Sequence, residues 1–405
     1  MRERIGLLVS NRQFLRLWIG LTQSQLGTLI NLIALSLYVY DKTRSGAAVG
    51  FLEIAMAIPS VVIGVFAGVI VDRYSRKWVM VISDVVRALL FLIMAFTPSI
   101  PAFYVIVFAS TLVGLFFSPA YSASLPMILG KKALLEANSL REMSSQLVRI
   151  VGPGLAGIMY AQFGFTFVCV FNTVTYFISA VVILSIPIPQ TQHERREWKS
   201  MKAPWLDAIE GFRQIRSNSL VKWVLVTDAG MQLGAGAIVV LAVIFVKELL
   251  NGSDALYGMI ISATAVGSFV GAFVTWFRGR LSEEAVLRSA YIALGLSLLL
   301  ISLCSHAWIA LILFAIVGVS QTLLSITIDT VLQKHVHEAV MGRTFATMGV
   351  LGQLSQLLSM GAGGILADIV GIRAVYVGAG IIVCCAALLA SRFVCIPAST
   401  AEVSA

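Results

Sequence analysis

Six ionisable residues inside long apolar runs of this chain are candidates for function, because a charge is costly there. They are Glu53, Asp84, Arg87, Arg149, Asp228 and Asp329. Charged residues in such runs face a protein interior or a water-filled cavity and mark ion or substrate pathways. A carboxylate shielded from water can exchange a proton near neutral pH. We therefore predict Asp228 and Asp329 as proton-coupling residues, with Glu53 as the next candidate.

The other charges in these runs have simpler alternatives. Asp84 and Arg87 are three residues apart and can pair on one helix face. Arg149 lies near the middle of its run, where it can attract an anionic substrate or extend its long side chain to the membrane surface. Glu53 lies near the outer end of its span, where solvation is as good an explanation as function.

Polar residues recur every four positions in two of the runs. The sets are Asp228, Gln232 and Gly236, and Gln321, Ser325 and Asp329. Residues four apart share one helix face, so each set forms a polar stripe. Two further runs carry stripes, namely Gln23, Gly27, Asn31 and Tyr38, and Ser110, Gly114, Phe117 and Tyr121. Such stripes line a cavity or form ordinary hydrogen bonds between helices.

These residues are positioned by helices that we expect to cross a membrane. The 405-residue chain is 59% hydrophobic and only 12% charged, whereas a soluble domain is about a quarter charged. A span needs about 20 apolar residues. Twelve such runs can be placed, at 14–40, 47–71, 77–96, 102–126, 138–162, 164–187, 221–246, 255–277, 285–305, 307–332, 343–368 and 371–395. The polar stretch 188–220 divides them into two sets of six, with a short amphipathic helix predicted inside it.

The basic residues predict the orientation. Of the 29 Lys and Arg residues, those on the far side of the membrane from the N-terminus are Lys42, Arg44, Lys247 and Arg373. Because basic loops stay in the cytoplasm, we expect both termini to be cytoplasmic. The net charge of +9 therefore reflects topology, and we do not expect a nucleic-acid partner.

The two sets of six spans resemble each other. "AGIMYAQFG" at 156–164 ends the fifth run and "GGILADIVG" at 363–371 ends the eleventh. Both matched segments lie six helices apart, and six is even. The halves therefore have the same orientation, as in transporters with parallel repeats and a site between the repeats. Chance similarity between glycine-rich membrane sequences is the alternative.

A dense charged turn follows the second run. "GVIVDRYSRK" at 68–77 resembles the signature G-x-x-x-D-R-x-x-R-K of the major facilitator superfamily, with Gly68, Asp72, Arg73, Arg76 and Lys77 at the matching positions. "VGPGLAG" at 151–157, with Gly152, Pro153 and Gly157, resembles the Gly-Pro motif of the fifth helix in exporters. "GRTFATMG" at 342–349 resembles the macrolide-efflux and enterobactin-exporter branch.

The resemblance implies an all-α membrane protein of two parallel six-helix bundles, at 1–187 and 221–405. It implies a latch that favours the outward-open state, in which Asp72 faces Gly342 and Arg343 at the start of the eleventh helix. The basic residues of the turn can pair with Asp84. The alternative is a plain basic turn that only sets topology.

The resemblance also implies that helices one, four, seven and ten line a central cavity. The predicted cavity and substrate residues are Gln23, Asn31, Tyr38, Phe117, Tyr121, Arg149, Gln232, Gln321 and Ser325. Related exporters often carry a carboxylate after the glycine of the first span, but Thr28 stands there. This departure favours Asp228 and Asp329 as the proton site.

The leading functional prediction is secondary active, proton-coupled export of an amphiphilic small molecule, such as a drug, a macrolide-like compound or a siderophore. A lipid or lysophospholipid flippase on the same fold is the alternative, and a membrane-embedded enzyme or a sensor is less favoured. The sequence contains no P-loop, zinc motif or catalytic triad. We expect no metal, no cofactor and no enzymatic activity, and a monomer in a bacterial inner or plasma membrane.

Overall fold

The computed structural model describes residues 11–71, 74–129, 134–188, 219–236, 238–277, 282–336 and 338–393, and these residues form helices and short connections without a strand. The helices are α1 Arg12–Thr43, α2 Gly46–Val71, α3 Arg76–Phe96, α4 Ile100–Gly114, α5 Phe117–Leu129, α6 Leu134–Leu184, α7 Ser219–Ala235, α8 Ile238–Ile244, α9 Asp254–Phe277, α10 Glu283–Leu303, α11 Ala307–His335, α12 Glu338–Val370 and α13 Ile372–Phe393. A π-helical turn, Phe245–Leu249, follows α8 directly.

Helix ends follow from local capping chemistry. The side chain of Asn11 accepts hydrogen bonds from the backbone N–H groups of Gln13 and Phe14, both at 3.1 Å, and so begins α1. At the other end, Arg44 adopts a left-handed conformation and donates its N–H to the carbonyl of Tyr40 at 2.8 Å. These bonds satisfy backbone groups that a helix terminus leaves without partners.

Ten helical segments among the described residues are long and apolar enough to cross a membrane. The predicted all-α membrane architecture is thus confirmed. One of the ten, Glu136–Leu184, is 49 residues long and its helix breaks at Gly164, which fits two crossings. The 32-residue α1 is not among the ten. The count of twelve spans stays a prediction that these two observations support.

Two glycines turn the chain at matching places in the repeat. Gly164 has φ of +77° and Gly371 has φ of +84°, values that side chains rarely adopt and that glycine adopts freely. Gly164 interrupts α6, and Gly371 separates α12 from α13. Both were predicted to begin a new apolar run, and both do so through a left-handed residue.

The described residues form two compact units. The N-terminal unit comprises those of Met1–Trp198 together with Ala242–Ser262, and the C-terminal unit comprises those of Lys199–Leu241 and Ala263–Ala405. In the N-terminal unit, α6 packs along both α1 and α3. In the C-terminal unit, α13 packs along α10 and α7.

The segment Ala242–Ser262, here called the docked segment, lies beyond the central loop in sequence yet packs with the N-terminal helices. The predicted boundaries at 187 and 221 stay a prediction. Most of the central loop, including its predicted amphipathic helix, lies outside the described residues.

Candidate functional site

The charged turn after α2 is only partly described. Arg76 donates to the carbonyl of Ala123 at 2.8 Å, and Lys77 donates to the carbonyls of Leu184 and Ile186 at 2.7 and 2.9 Å. These bonds attach the start of α3 to α5 and to the end of α6. Neither side chain forms an ion pair with Asp84.

Several residues or side chains of the predicted latch lie outside the described part of the chain. Asp72 and Arg73 lie outside the described residues. Gly68 lies in α2, and Gly342 and Arg343 lie in α12, but the surroundings of their side chains are not described. The latch therefore stays a prediction.

Asp84 pairs with Arg87 on α3 in the interior of the N-terminal unit. The carboxylate is fully buried, and its Oδ1 accepts a hydrogen bond from Arg87 Nη2. Its Oδ2 has no hydrogen-bond partner, although Ser179 of α6 lies close enough to act on the carboxylate. An ion pair in this position carries a large desolvation cost, so it needs the further contacts that surround it.

The guanidinium of Arg87 is held by four other groups. Its Nη1 donates to the hydroxyl of Tyr176 at 3.3 Å, and its Nε donates to the carbonyl of Ser83 at 3.3 Å. The ring centroids of Tyr176 and Phe117 lie 4.4 and 5.1 Å from its central carbon, within cation–π range. The hydroxyl of Thr28 bonds that of Tyr176 at 2.8 Å. The sequence predicted only the pairing of Arg87 with Asp84, because Tyr176 and Phe117 come from other helices.

The predicted cavity residues of α1 all contact α6. Gln23 donates to the carbonyl of Thr175 at 2.6 Å, and Asn31 donates to Cys169 Sγ at 3.3 Å. The ring of Tyr38 stacks on Phe165 with centroids 4.2 Å apart. These contacts favour the alternative to a cavity lining, in which the polar stripe forms hydrogen bonds between neighbouring helices.

Two further predicted cavity residues lie in different environments. Tyr121 of α5 is buried, with Arg141 5.2 Å from its ring centroid and no hydrogen-bond partner for its hydroxyl. Arg149 of α6 has an exposed side chain. Arg87, which was not predicted as a cavity residue, is thus the more enclosed cation of the two.

The two predicted proton-coupling aspartates lie together in the C-terminal unit. Asp228 of α7 is buried, at 4% exposure, and Asp329 of α11 is half-buried. The negative charge of Asp329 acts on Asp228, so the two carboxylates lie within repelling distance. A Cβ built on Gly352 of α12 would lie 3.7 Å from both Asp228 Oδ2 and Gln232 Nε2. Glycine there brings the α12 backbone close to both polar groups.

The polar stripe of α11 is less enclosed than the aspartate pair. Gln321 is half-buried and Ser325 is exposed. Together with Asp329 they keep the four-residue spacing that was read from the sequence, because α11 is continuous over all three positions.

Glu53 of α2 is a buried carboxylate in the N-terminal unit. Its side chain is 9% exposed, and the hydroxyl of Ser36 on α1 donates to its Oε1 at 3.4 Å. Tyr257, at the start of α9 in the docked segment, is fully buried and close enough for the charge of Glu53 to act on it. The hydroxyl of Tyr257 has no hydrogen-bond partner.

An ion network joins the docked segment to α1 and α6. Lys247 of the π-helical turn binds Asp41 at 3.0 Å and Asp254 at 2.5 Å. The hydroxyl of Tyr160 donates to Asp41 at 3.0 Å. Single π-helical turns are frequent at functional sites, and here the turn carries the lysine that joins two carboxylates.

A second bond lies beside this network. The hydroxyl of Tyr40 donates to Glu248 at 2.6 Å. Adjacent residues of α1, Tyr40 and Asp41, thereby pair with adjacent residues of the π-helical turn, Glu248 and Lys247. Sequence analysis placed Lys247 only as a charge outside the membrane, since the partners are some two hundred positions apart.

The predicted helix-five motif lies where α6 meets the docked segment. A Cβ on Gly157 would meet the backbone of Asp254 and Ala255, and a Cβ on Gly258 would meet the carbonyl of Pro153. The N–H of Gly154 donates to Ser262 Oγ at 3.1 Å. The glycines thus allow the two helix backbones to touch. Gly152, also in the motif, instead faces Leu29 of α1.

Comparison with known proteins gives consistent matches. The family profile described as Major Facilitator Superfamily matches residues 17–360. Macrolide efflux protein A of Streptococcus pyogenes is 21% identical over 386 residues, covering 93% of this chain and 95% of the relative. The multidrug efflux pump Tap of Mycolicibacterium fortuitum is 26% identical over 367 residues, covering 86% and 88%. The crystal structure of the nucleoside transporter NupG superimposes with a TM-score of 0.76 at 14% identity, covering 94% of this chain and 98% of that one.

Proposed function

The chain belongs to the major facilitator superfamily, and from that premise we propose that it exports an amphiphilic small molecule in exchange for protons. The family resemblance and the major facilitator fold predicted from the sequence are confirmed. The protein is a multi-pass membrane transporter with relatives that include efflux pumps. Proton coupling, substrate class and direction of transport are the proposed parts.

One observation carries the proposed proton coupling. Asp228 is buried, and the charge of Asp329 acts on it without a basic side chain paired to either among the described residues. Two negative charges in such surroundings repel, and a proton shared by the pair removes that repulsion. A movement that separates or exposes the carboxylates therefore changes how tightly the proton is held. This property links proton binding to conformational change.

The proposed substrate class rests on side-chain chemistry and on relatives. Apart from Arg149, the predicted cavity residues carry no charge, which suits an amphiphilic organic molecule. The names of two relatives refer to macrolide and multidrug efflux. These observations support export of such a compound across a bacterial plasma membrane, with both termini cytoplasmic.

The charged turn supplies a proposed latch. Arg76 and Lys77 attach the start of α3 to carbonyl groups of α5 and of the end of α6, which supports a rigid attachment of the turn. In this proposal Asp72 faces the N-terminus of α12 near Gly342 and Arg343, because a carboxylate is stabilised at a helix N-terminus. This contact favours the outward-open state.

The proposed function is tested by efflux of erythromycin, chosen as a macrolide probe, from a bacterial host that lacks its major pumps. Wild-type cells are expected to lower erythromycin accumulation, and a protonophore should abolish that effect. Asp228→Asn or Asp329→Asn should abolish uphill efflux yet retain downhill exchange that is independent of pH. Glu284→Gln is the matched control, because Glu284 is an exposed carboxylate of the C-terminal unit that pairs with Arg288.

Two results would overturn parts of the proposal. Uphill efflux with normal pH dependence in both single variants and in the double variant would make the aspartate pair structural. Efflux that persists in the presence of the protonophore would exclude proton coupling. If the protein does not change erythromycin accumulation, ethidium serves as a second amphiphilic probe. Unchanged accumulation of both compounds would overturn the proposed substrate class.

A further inference from the structure

Glu53 is a buried carboxylate without a counterion. Its one described hydrogen bond comes from Ser36 at 3.4 Å, and its side chain is 9% exposed. Among the described residues no lysine, arginine or histidine forms an ion pair with it. A buried carboxylate that lacks a cation is costly to ionise, because the lost hydration of its charge is not replaced. A bound proton removes this cost.

The docked segment covers this carboxylate. Tyr257 reaches Glu53 from the start of α9, is fully buried, and lies close to Ser36, the residue that donates to Glu53. Two polar groups from different elements therefore face each other in a site closed to water. Detachment of the docked segment would remove Tyr257 from the surroundings of Glu53.

The other ionisable groups at this end of the unit are compensated. Lys247 binds Asp41 and Asp254, and the hydroxyl groups of Tyr160 and Tyr40 donate to Asp41 and Glu248. On α1, the ammonium of Lys42 lies 5.6 Å from the Tyr38 ring centroid. This network holds the docked segment in place, whereas Glu53 opposes docking whenever it is ionised.

We propose that Glu53, Ser36 and Tyr257 form a proton-binding site, and that the docked segment Ala242–Ser262 stays attached only while Glu53 carries its proton. The sign follows from burial: docking disfavours the ionised carboxylate, so docking is strongest at low pH and is lost as the pH rises. The role of this site in transport rests on the proposed proton-coupled export. Docking itself can be measured without any substrate.

Hydrogen–deuterium exchange of the purified full-length protein in lipid nanodiscs tests the proposal. Peptides from 242–262 are followed over a pH series, and each is corrected with the same peptide in the unfolded protein. In the wild type, the equilibrium constant for opening of the docked segment should increase by up to about tenfold per pH unit once Glu53 begins to lose its proton. This slope is the one expected when opening is linked to the loss of one proton. Peptides from 283–303 in the C-terminal unit serve as the internal reference.

Variants separate this site from its surroundings. Glu53→Gln should keep the docked segment protected at every pH, and Glu53→Met, a second neutral variant, should do the same. Ser36→Ala should move the pH response to higher pH, because the ionised carboxylate loses its one described hydrogen bond. Asp41→Asn should loosen the segment at all pH values yet retain the response. Unchanged protection of 283–303 and a single elution peak show that each variant is folded.

Three results would overturn the proposal. The first is hydrogen exchange of the wild-type docked segment that shows no dependence of opening on pH. The second is a Glu53→Gln variant with the wild-type pH response. The third is recovery of protection at high pH when sodium chloride replaces potassium chloride, which would make the site a sodium site. If docking follows Glu53 but erythromycin efflux ignores the proton gradient, the proposed function fails while the proton site stands.

Discussion

Arg87 is the residue with the most varied set of contacts in the N-terminal unit. It pairs with Asp84, donates to Tyr176 and to a backbone carbonyl, and lies against two aromatic rings. The rings cover apolar parts of the guanidinium and the carboxylate balances its charge. Removing either member of a buried pair leaves the other as an uncompensated charge, which costs more than removing both.

A thermal unfolding series on Arg87 and Asp84 checks this reasoning. Arg87→Leu should destabilise the purified protein by about 3–5 kcal/mol because Asp84 is left ionised and buried. The double variant Arg87→Leu with Asp84→Leu should recover part of that loss. Arg288→Leu, which removes an exposed partner from a surface pair, should change stability by no more than about 1 kcal/mol. A double variant less stable than Arg87→Leu would contradict the argument.

At the scale of helices, two left-handed glycines divide long apolar stretches into separate crossings. Gly164 and Gly371 occupy equivalent places in the repeat, and both have φ near +80°. Neither has a neighbouring atom within reach of a built Cβ, so the requirement for glycine there is conformational and not one of space. The resemblance between the two segments thus has a physical cause in the backbone.

Alanine substitution distinguishes conformation from packing. Gly164→Ala and Gly371→Ala should each lower stability by about 1–2 kcal/mol, the cost of a side chain in the left-handed region. Gly378→Ala is the matched control, since Gly378 lies within α13 with open space around it. That variant should be neutral or more stable, because alanine favours a helix by up to about 1 kcal/mol. Equal effects of all three substitutions would refute the interpretation.

At the scale of the whole molecule, the apolar helical spans and the glycine turns were the parts that sequence could predict. The helical spans and the glycine turns depend on residues close together in the chain, so local patterns contain them. The pairing of Tyr40 with Glu248, or of Arg87 with Tyr176, depends on helices brought together by packing. No local pattern in a single sequence identifies such distant partners. The docked segment was missed for the same reason.

The predicted topology is testable on intact cells. Cysteines placed singly in 188–220 should react with a membrane-impermeant maleimide only after the membrane is opened. Cysteines near Ser99 and His306, which begin α4 and α11, should react from outside. The native cysteines are first replaced by serine or alanine, and erythromycin efflux of that background is the control. External labelling of 188–220 in sealed cells would refute the two sets of six spans.

The docked segment constrains how such a gene can recombine. A crossover in the central loop between this chain and a relative would exchange Ala242–Ser262 along with the C-terminal helices. The incoming segment would then have to match Asp41, Tyr40 and Gly157 of the resident N-terminal unit. Chimeras joined at the loop should therefore be viable mainly when 242–262 is inherited from the N-terminal parent. Compatibility between parents is set by this short insert more than by overall sequence identity.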